Sequence, residues 1–160
     1  MKNPKIRIKG DPILQKKAKK VSLPFDAKKI KSLAARMLKA MEEENGLGLA
    51  APQIGVSERI ILVKTKENPL FLINPEIKKK SLLTNTAEEG CLSVPGIFGL
   101  VKRHNSVVLE AETVLSEPIK FKAKGLLARV IQHEIDHLDG ILFIDKIAKN
   151  GSKTKDERKI

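Results

Sequence analysis

The segment "GLLARVIQHEIDHLDG" (residues 125–140) sets His133, Glu134 and His137 in the order His-Glu-x-x-His. At 3.6 residues per turn, positions i and i+4 stack on one face of a helix, so His133 and His137 can share one metal ion. Glu134, beside the first histidine, then reaches a water on that metal. The ion lowers the water's pKa and the carboxylate takes its proton. All of this requires a helix, and the pattern supplies one. Leu126, Val130, His133 and His137 fall on one stripe, and Leu127, Ile131, Ile135 and Leu138 on a second, with Gly140 as the stop. A helix apolar on two sides is a buried helix. Burying two histidines and a glutamate without partners costs on the order of several kcal/mol, and a metal supplies the partner.

Working outward, "DAKKIKSLAARMLKAMEEENG" (26–46) reads as an amphipathic helix. Ile30, Leu33, Met37, Leu38 and Met41 recur at helical spacing, and Asn45-Gly46 forms the stop. Before it, "GDPILQKKAKKVSLP" (10–24) reads as extended, with turns at Asp11-Pro12 and Pro24. "LGLAAPQIG" (47–55) reads as a Gly/Ala loop. "RIILVK" (59–64) and "LFLINPEI" (70–77) are short β-rich runs. "EEGCLSVPG" (88–96) has strand character interrupted by Gly and Pro. "SVVLEAE" (106–112) and "IKFKAK" (119–124) alternate. Strands grouped between two helices imply an α+β fold. Short antiparallel or mixed sheets should pack around the central His-Glu-x-x-His helix, with the amphipathic N-terminal helix alongside. One catalytic domain is expected over 1–148. "AKNGSKTKDERKI", essentially 149–160, is expected to be a frayed, flexible basic tail.

The chain has 160 residues, one domain's worth, and no run of 18 apolar residues that would span a membrane. The N-terminus has no apolar stretch of signal-peptide type, so the cytoplasm is the expected compartment. The single cysteine, Cys91, permits no intrachain disulfide. A net charge of +12 favours loose contact with polyanions. Without Trp or Tyr, and with five Phe, stacking platforms are scarce, so no specific nucleic-acid binding is expected.

Two histidines leave a metal site incomplete. Metzincin proteases continue to a third histidine, but Phe143 stands at that position and cannot ligate. The downstream carboxylates Asp145, Asp156 and Glu157 leave little chain for a second ligand-bearing helix. Upstream, His104 sits between charged neighbours in "KRHNS", which suits a solvated turn. Cys91 in "EEGCLS" is the better candidate: a thiolate, two imidazoles and a water make a tetrahedral catalytic site suited to Zn or Fe(II). A buried structural cysteine is the competing reading.

Taken together, "GLGLAAPQ" (46–53), "EEGCLS" (88–93) and "QHEIDH" (132–137) resemble the three ordered motifs of the peptide deformylases, with every fixed position met. "GDPIL", "INP" (73–75) and "LDGILFIDKI" are similar to that family too. The resemblance implies removal of formate from the N-terminal formyl-methionine of nascent peptides. It implies that Cys91, His133 and His137 ligate the metal and that Glu134 is general base, then general acid. Gln53 and the backbone N–H of Leu92 would form the oxyanion hole. Gly48 and Gly90 would let substrate backbone approach, and Leu47, Leu126 and Val130 would line the methionine pocket. Glu89 and Arg103 would pair in support of the cysteine strand, and Gln132 and Asp136 would hold ligands or loops. One divalent ion is implied, natively Fe(II), with Zn, Ni or Co able to take its place. The positive surface favours a transient ribosome contact.

Three other readings compete. A minimal zinc endopeptidase needs a third ligand downstream and meets Phe143 instead. An inactive binding module would lack Glu134, Gln53 or Cys91, and all are present. A nucleotide cradle at the Gly-rich loop would need Lys-Ser/Thr after the glycines.

Overall fold

The computed structural model describes residues 5–147 and the two-residue strand Thr154–Lys155. The first helix, α1 (Ala27–Glu43), starts at Asp26, whose side chain accepts from the Lys28 and Lys29 N–H groups. This satisfies two of the amides left unpaired at a helix start. Helix α1 buries Ile30, Leu33, Met37, Ala40 and Met41, and the chain leaves it through Asn45, whose φ of 52° is left-handed. The strands follow: β1 (Gly48–Ala50), β2 (Ile60–Val63), β3 (Leu70–Lys80), β4 (Thr84–Cys91), β5 (Val94–His104), β6 (Ser106–Glu112) and β7 (Pro118–Lys124). Helix α2 spans Gly125–Leu138, and β8 is Thr154–Lys155.

The strands form two antiparallel sheets, ordered β1-β2-β3-β6-β7 and β4-β5-β8. The fold is α+β. Strand β2 shows why "IILV" is apolar throughout. Successive side chains point to opposite faces. Ile60 and Leu62 meet α1 with Leu49 and Ile73, whereas Ile61 and Val63 meet Ala128, Ile131, Ile135 and Leu138 of α2. A strand with a helix on each face needs no polar side.

Three stretches differ from the sequence reading. The entry segment read as extended holds a 3₁₀ turn at Pro12–Gln15, where the Asp11 side chain accepts from the Ile13 N–H. The Gly/Ala loop is β1 followed by a 3₁₀ turn, Ala51–Ile54. The interrupted strand around Cys91 is two long strands joined by a turn at Leu92-Ser93. Residues 97–104 escaped notice because Gly99 breaks their pattern. A Cβ there would collide with the Ile147 side chain, so the glycine is set by packing from outside the strand. The tail expected over 149–160 lies outside the described residues, except that the Thr154–Lys155 backbone pairs with Ile97 and Phe98 of β5. Among the described residues no helix is long and apolar enough to cross a membrane.

Gly140 ends α2 with φ +74°, and a Cβ there would lie 2.7 Å from the Gln15 carbonyl oxygen. The conformation and the collision both oppose a side chain. Gly140→Ala is expected to lower unfolding stability by about 1–3 kcal/mol. A denaturant midpoint equal to wild type would refute this account of the helix stop.

Candidate metal centre

Two elements bring the site together. Helix α2 carries His133, Glu134 and His137, and the end of β4 carries Cys91. The Cys91 thiol and the two imidazoles each offer one ligand atom, all within 4.8 Å of one another, with Cys91 Sγ 3.2 Å from His137 Nε2. Metal bonds of about 2.0–2.3 Å give ligand separations of this order around one tetrahedral ion. Glu134 is buried, and its Oε2 has no hydrogen-bond partner among the described protein groups. An orphaned carboxylate oxygen beside three soft or borderline ligands fits a site built for a cation and a water.

The electrostatics agree. Burial alone disfavours a charged His133, yet Cys91 and Glu89 outweigh it and raise its pKa to about 10. The same negative field favours a divalent ion, for which the proton is a competitor. His137 goes the other way. Burial, then the His133 and Arg103 charges, hold it well below the usual imidazole range, so its lone pair is available. Burial pushes Glu134 up to about 7, against the opposing charges of His133 and Arg103.

Behind the ligands lies a buried polar network. Glu89 accepts from His133 Nδ1 at 3.0 Å, which fixes that ring's orientation. Arg103 donates to Glu89 through Nε and Nη2 at 3.0 and 2.9 Å, and through Nη1 to Asp136. Burial raises the Glu89 pKa, but the His133 and Arg103 hydrogen bonds prevail and hold it at about 2. Asp136 also accepts from Lys146 at 2.6 Å, and Gln132 clasps the His104 backbone through its N–H and C=O.

The other expected residues border a cleft of about 830 Å³ over the ligands. Gln53 is oriented by the Ala50 N–H, which donates to its Oε1 at 2.8 Å. Its Nε2 is thereby left facing Ser93 Oγ at 3.1 Å and Cys91 Sγ at 3.6 Å. Leu92 opens the hairpin turn. Leu47 and Leu126 are 50% and 63% exposed, as apolar residues reserved for a ligand would be, and Val130 lies beside them. Gly90 and Gly48 also border the cleft, but the protein itself crowds both. A Cβ on Gly90 would meet the Phe98 ring at 2.6 Å, and one on Gly48 would meet Glu134 Oε1 at 2.5 Å. His104 is not among the ligands; its Nδ1 bonds the Ser81 carbonyl at 2.7 Å. Phe143 is buried and stacks on the His133 ring at 6.1 Å.

A sequence profile of the polypeptide deformylase family matches residues 4–153. The chain belongs to the peptide deformylase family. It is 50% identical over 152 residues to a peptide deformylase of Dictyoglomus thermophilum, covering 95% of this chain and 97% of that one. It superposes on the crystal structure of the Thermotoga maritima peptide deformylase with a TM-score of 0.86 at 42% identity, over 89% of this chain and 96% of that one. A class I type b deformylase of Acinetobacter baumannii, solved with Met-Ala-Ser bound, gives 0.86 at 37% identity with the same coverages. The activity is peptide deformylation, carried out by a metal-binding hydrolase of protein processing.

Sequence reading missed Arg129, Ser93, Asn85 and Lys146. Arg129 left a signal: a lone arginine in "LLARVI", one turn before a ligand on a buried helix, must have acceptors waiting. Gly48 yields a direct test of crowding in a deformylase. In Gly48→Ala the new methyl would displace the Glu134 carboxylate, and kcat/KM for formate release is expected to fall about 100-fold. Bound metal, measured by elemental analysis, should stay at the wild-type level. A near-normal rate would show that Glu134 is not held by this contact.

Proposed function

We propose that Cys91, His133 and His137 hold one divalent ion, with Glu134 as general base and then general acid. The convergence of the three ligand atoms within 4.8 Å, beside the buried Glu134, carries this reading. A thiolate and two imidazoles suit Fe(II), which we take as the native ion, and also Zn, Ni or Co. Such an ion lowers the pKa of water and polarises a carbonyl.

The chain's own residues do the rest. Glu134 accepts a proton as the water oxygen attacks the formyl carbon. Gln53 Nε2 and the Leu92 N–H donate to the formyl oxygen as it gains negative charge, stabilising the transition state more than the substrate. When the C–N bond breaks, Glu134 returns the proton to the amine, so formate and a free N-terminus leave. Burial favours the protonated carboxyl, which suits a group that must hold the proton between two steps.

The substrate in this proposal is the N-formyl-methionyl end of a nascent peptide. Leu47, Leu126 and Val130 would receive the methionine side chain, and the backbone at Gly48 and Gly90, which borders the cleft, would run alongside the extended substrate. The Met-Ala-Ser seen in the Acinetobacter relative supports a peptide in this cleft. Residues 1–148 act as one catalytic domain in the cytoplasm, with no membrane partner and no specific nucleic-acid partner. The +12 charge supports a transient contact with ribosomal RNA. The endopeptidase alternative loses ground, because Phe143 is a wall behind His133 and brings no third ligand.

Formate release from formyl-Met-Ala-Ser by metal-loaded protein tests the reading. Glu134→Gln is expected to lose about 10²–10⁴-fold in kcat while keeping its ion, and Cys91→Ala to lose the ion itself. Cleavage within the peptide, or full turnover in Glu134→Gln, would overturn the assignment.

A further inference from the structure

The elements that carry the ligands share little apolar core. Among the described residues, the cluster burying α2 contains no residue of β4 or β5, and the cluster beneath the β4–β5 hairpin contains none of α2. Yet Cys91 belongs to the hairpin and both histidines to the helix. At its turn the hairpin is anchored elsewhere: the Lys9 N–H donates to the Ser93 carbonyl, and Leu92 packs against the α1 cluster. Along its length it meets α2 mainly through polar side chains.

Arg129 makes the broadest of these connections. Its Nη1 donates to Glu89 Oε1 at 2.6 Å and to the Val101 carbonyl at 2.9 Å. Its Nη2 donates to the Asn85 carbonyl at 3.0 Å and to Asn85 Oδ1. One buried side chain on α2 thus binds both strands of the hairpin. It also supplies Glu89 with its fourth donor, beside two from Arg103 and one from His133. Arg129 borders the cleft, but each terminal nitrogen already serves two acceptors, so neither is free for substrate.

Resting on Cys91, His133 and His137 as the ligands, we propose that Arg129 is a positioning residue. It is a strut that sets the spacing between hairpin and helix, and hence between Cys91 and the two histidines. It also locks Glu89 Oε2 toward His133 Nδ1. Without it Glu89 can turn, His133 loses its fixed orientation, and the hairpin loses four hydrogen bonds to α2. The planar fork is essential, because a lysine head cannot meet Glu89, Val101 and Asn85 together.

The test uses the full chain loaded with Co(II), whose visible absorption reports thiolate and imidazole coordination. Its release into excess EDTA is timed. Arg129→Met is expected to release Co(II) about 10–100-fold faster than wild type, the usual scale for removing support behind a ligand. Arg129→Lys should fall between the two. Asn85→Ala, which removes one exposed acceptor and leaves the Arg129–Glu89 bond in place, should shift the rate the same way by less. It also keeps the test open if Arg129→Met does not fold. Unfolding midpoints of the metal-free proteins separate a stability defect from a ligand-spacing defect. Equal release from folded Arg129→Met and wild type overturns the strut, as does Arg129→Lys releasing at the wild-type rate. A wild-type protein that holds no Co(II) would instead overturn the ligand assignment.

Discussion

The site depends on one buried carboxylate. Glu89 lies between Arg103, Arg129 and His133 and accepts from all three. Taking these charges out of water costs several kcal/mol per ion on the usual scale, so the cluster is a poor source of stability. Its value is geometric. An apolar contact would bury His133 equally well but leave its ring free to rotate and its tautomer unset. A carboxylate on Nδ1 makes that nitrogen the donor and turns Nε2 toward the ligands.

The two-sided burial of β2 explains how α2 can carry so much polarity. One face of α2 lies on Ile61, Val63, Leu72 and Leu109, which supply the apolar burial the helix needs. The opposite side can then hold Arg129, His133, Glu134 and Asp136, each met by a specific partner or reserved for the ion. Helix α1 packs on the other side of β2 and secures the sheet on which α2 rests.

Much of this was legible in the sequence, for reasons that can be stated. The i, i+4 histidines and the two apolar stripes define α2 locally, because helical periodicity needs no tertiary knowledge. The pairing of Glu89 with Arg103 and the place of Gln53 beside Cys91 were reachable only through the resemblance, since nothing in spacing brings together residues 14 or 38 positions apart. The β4–β5 hairpin was half hidden because Gly90 and Gly99 answer to Phe98 and Ile147, partners that a reading of single strands does not see. Arg129 was overlooked for the same reason: its acceptors are Asn85, Glu89 and Val101, at separations of 28 to 44 residues.

Gly48 shows how closely the reactive group is fitted to the chain. Helix α2 approaches β1 so nearly that the Glu134 carboxylate and the Val130 methyl occupy the space a Cβ would fill. The carboxylate is therefore located by packing against β1, the edge strand of the five-stranded sheet, rather than by a side-chain hydrogen bond to Oε2. Among the described residues no protein group donates to Oε2, so that oxygen is open to a proton, as the proposed role of general base needs. His133, one residue earlier, is governed by the opposite rule: its Nδ1 is tied to Glu89 at 3.0 Å, which fixes the ring's orientation. Adjacent residues on one helix thus have their mobility set by different means, one by packing that leaves the functional oxygen open and one by a network that closes every remaining bond.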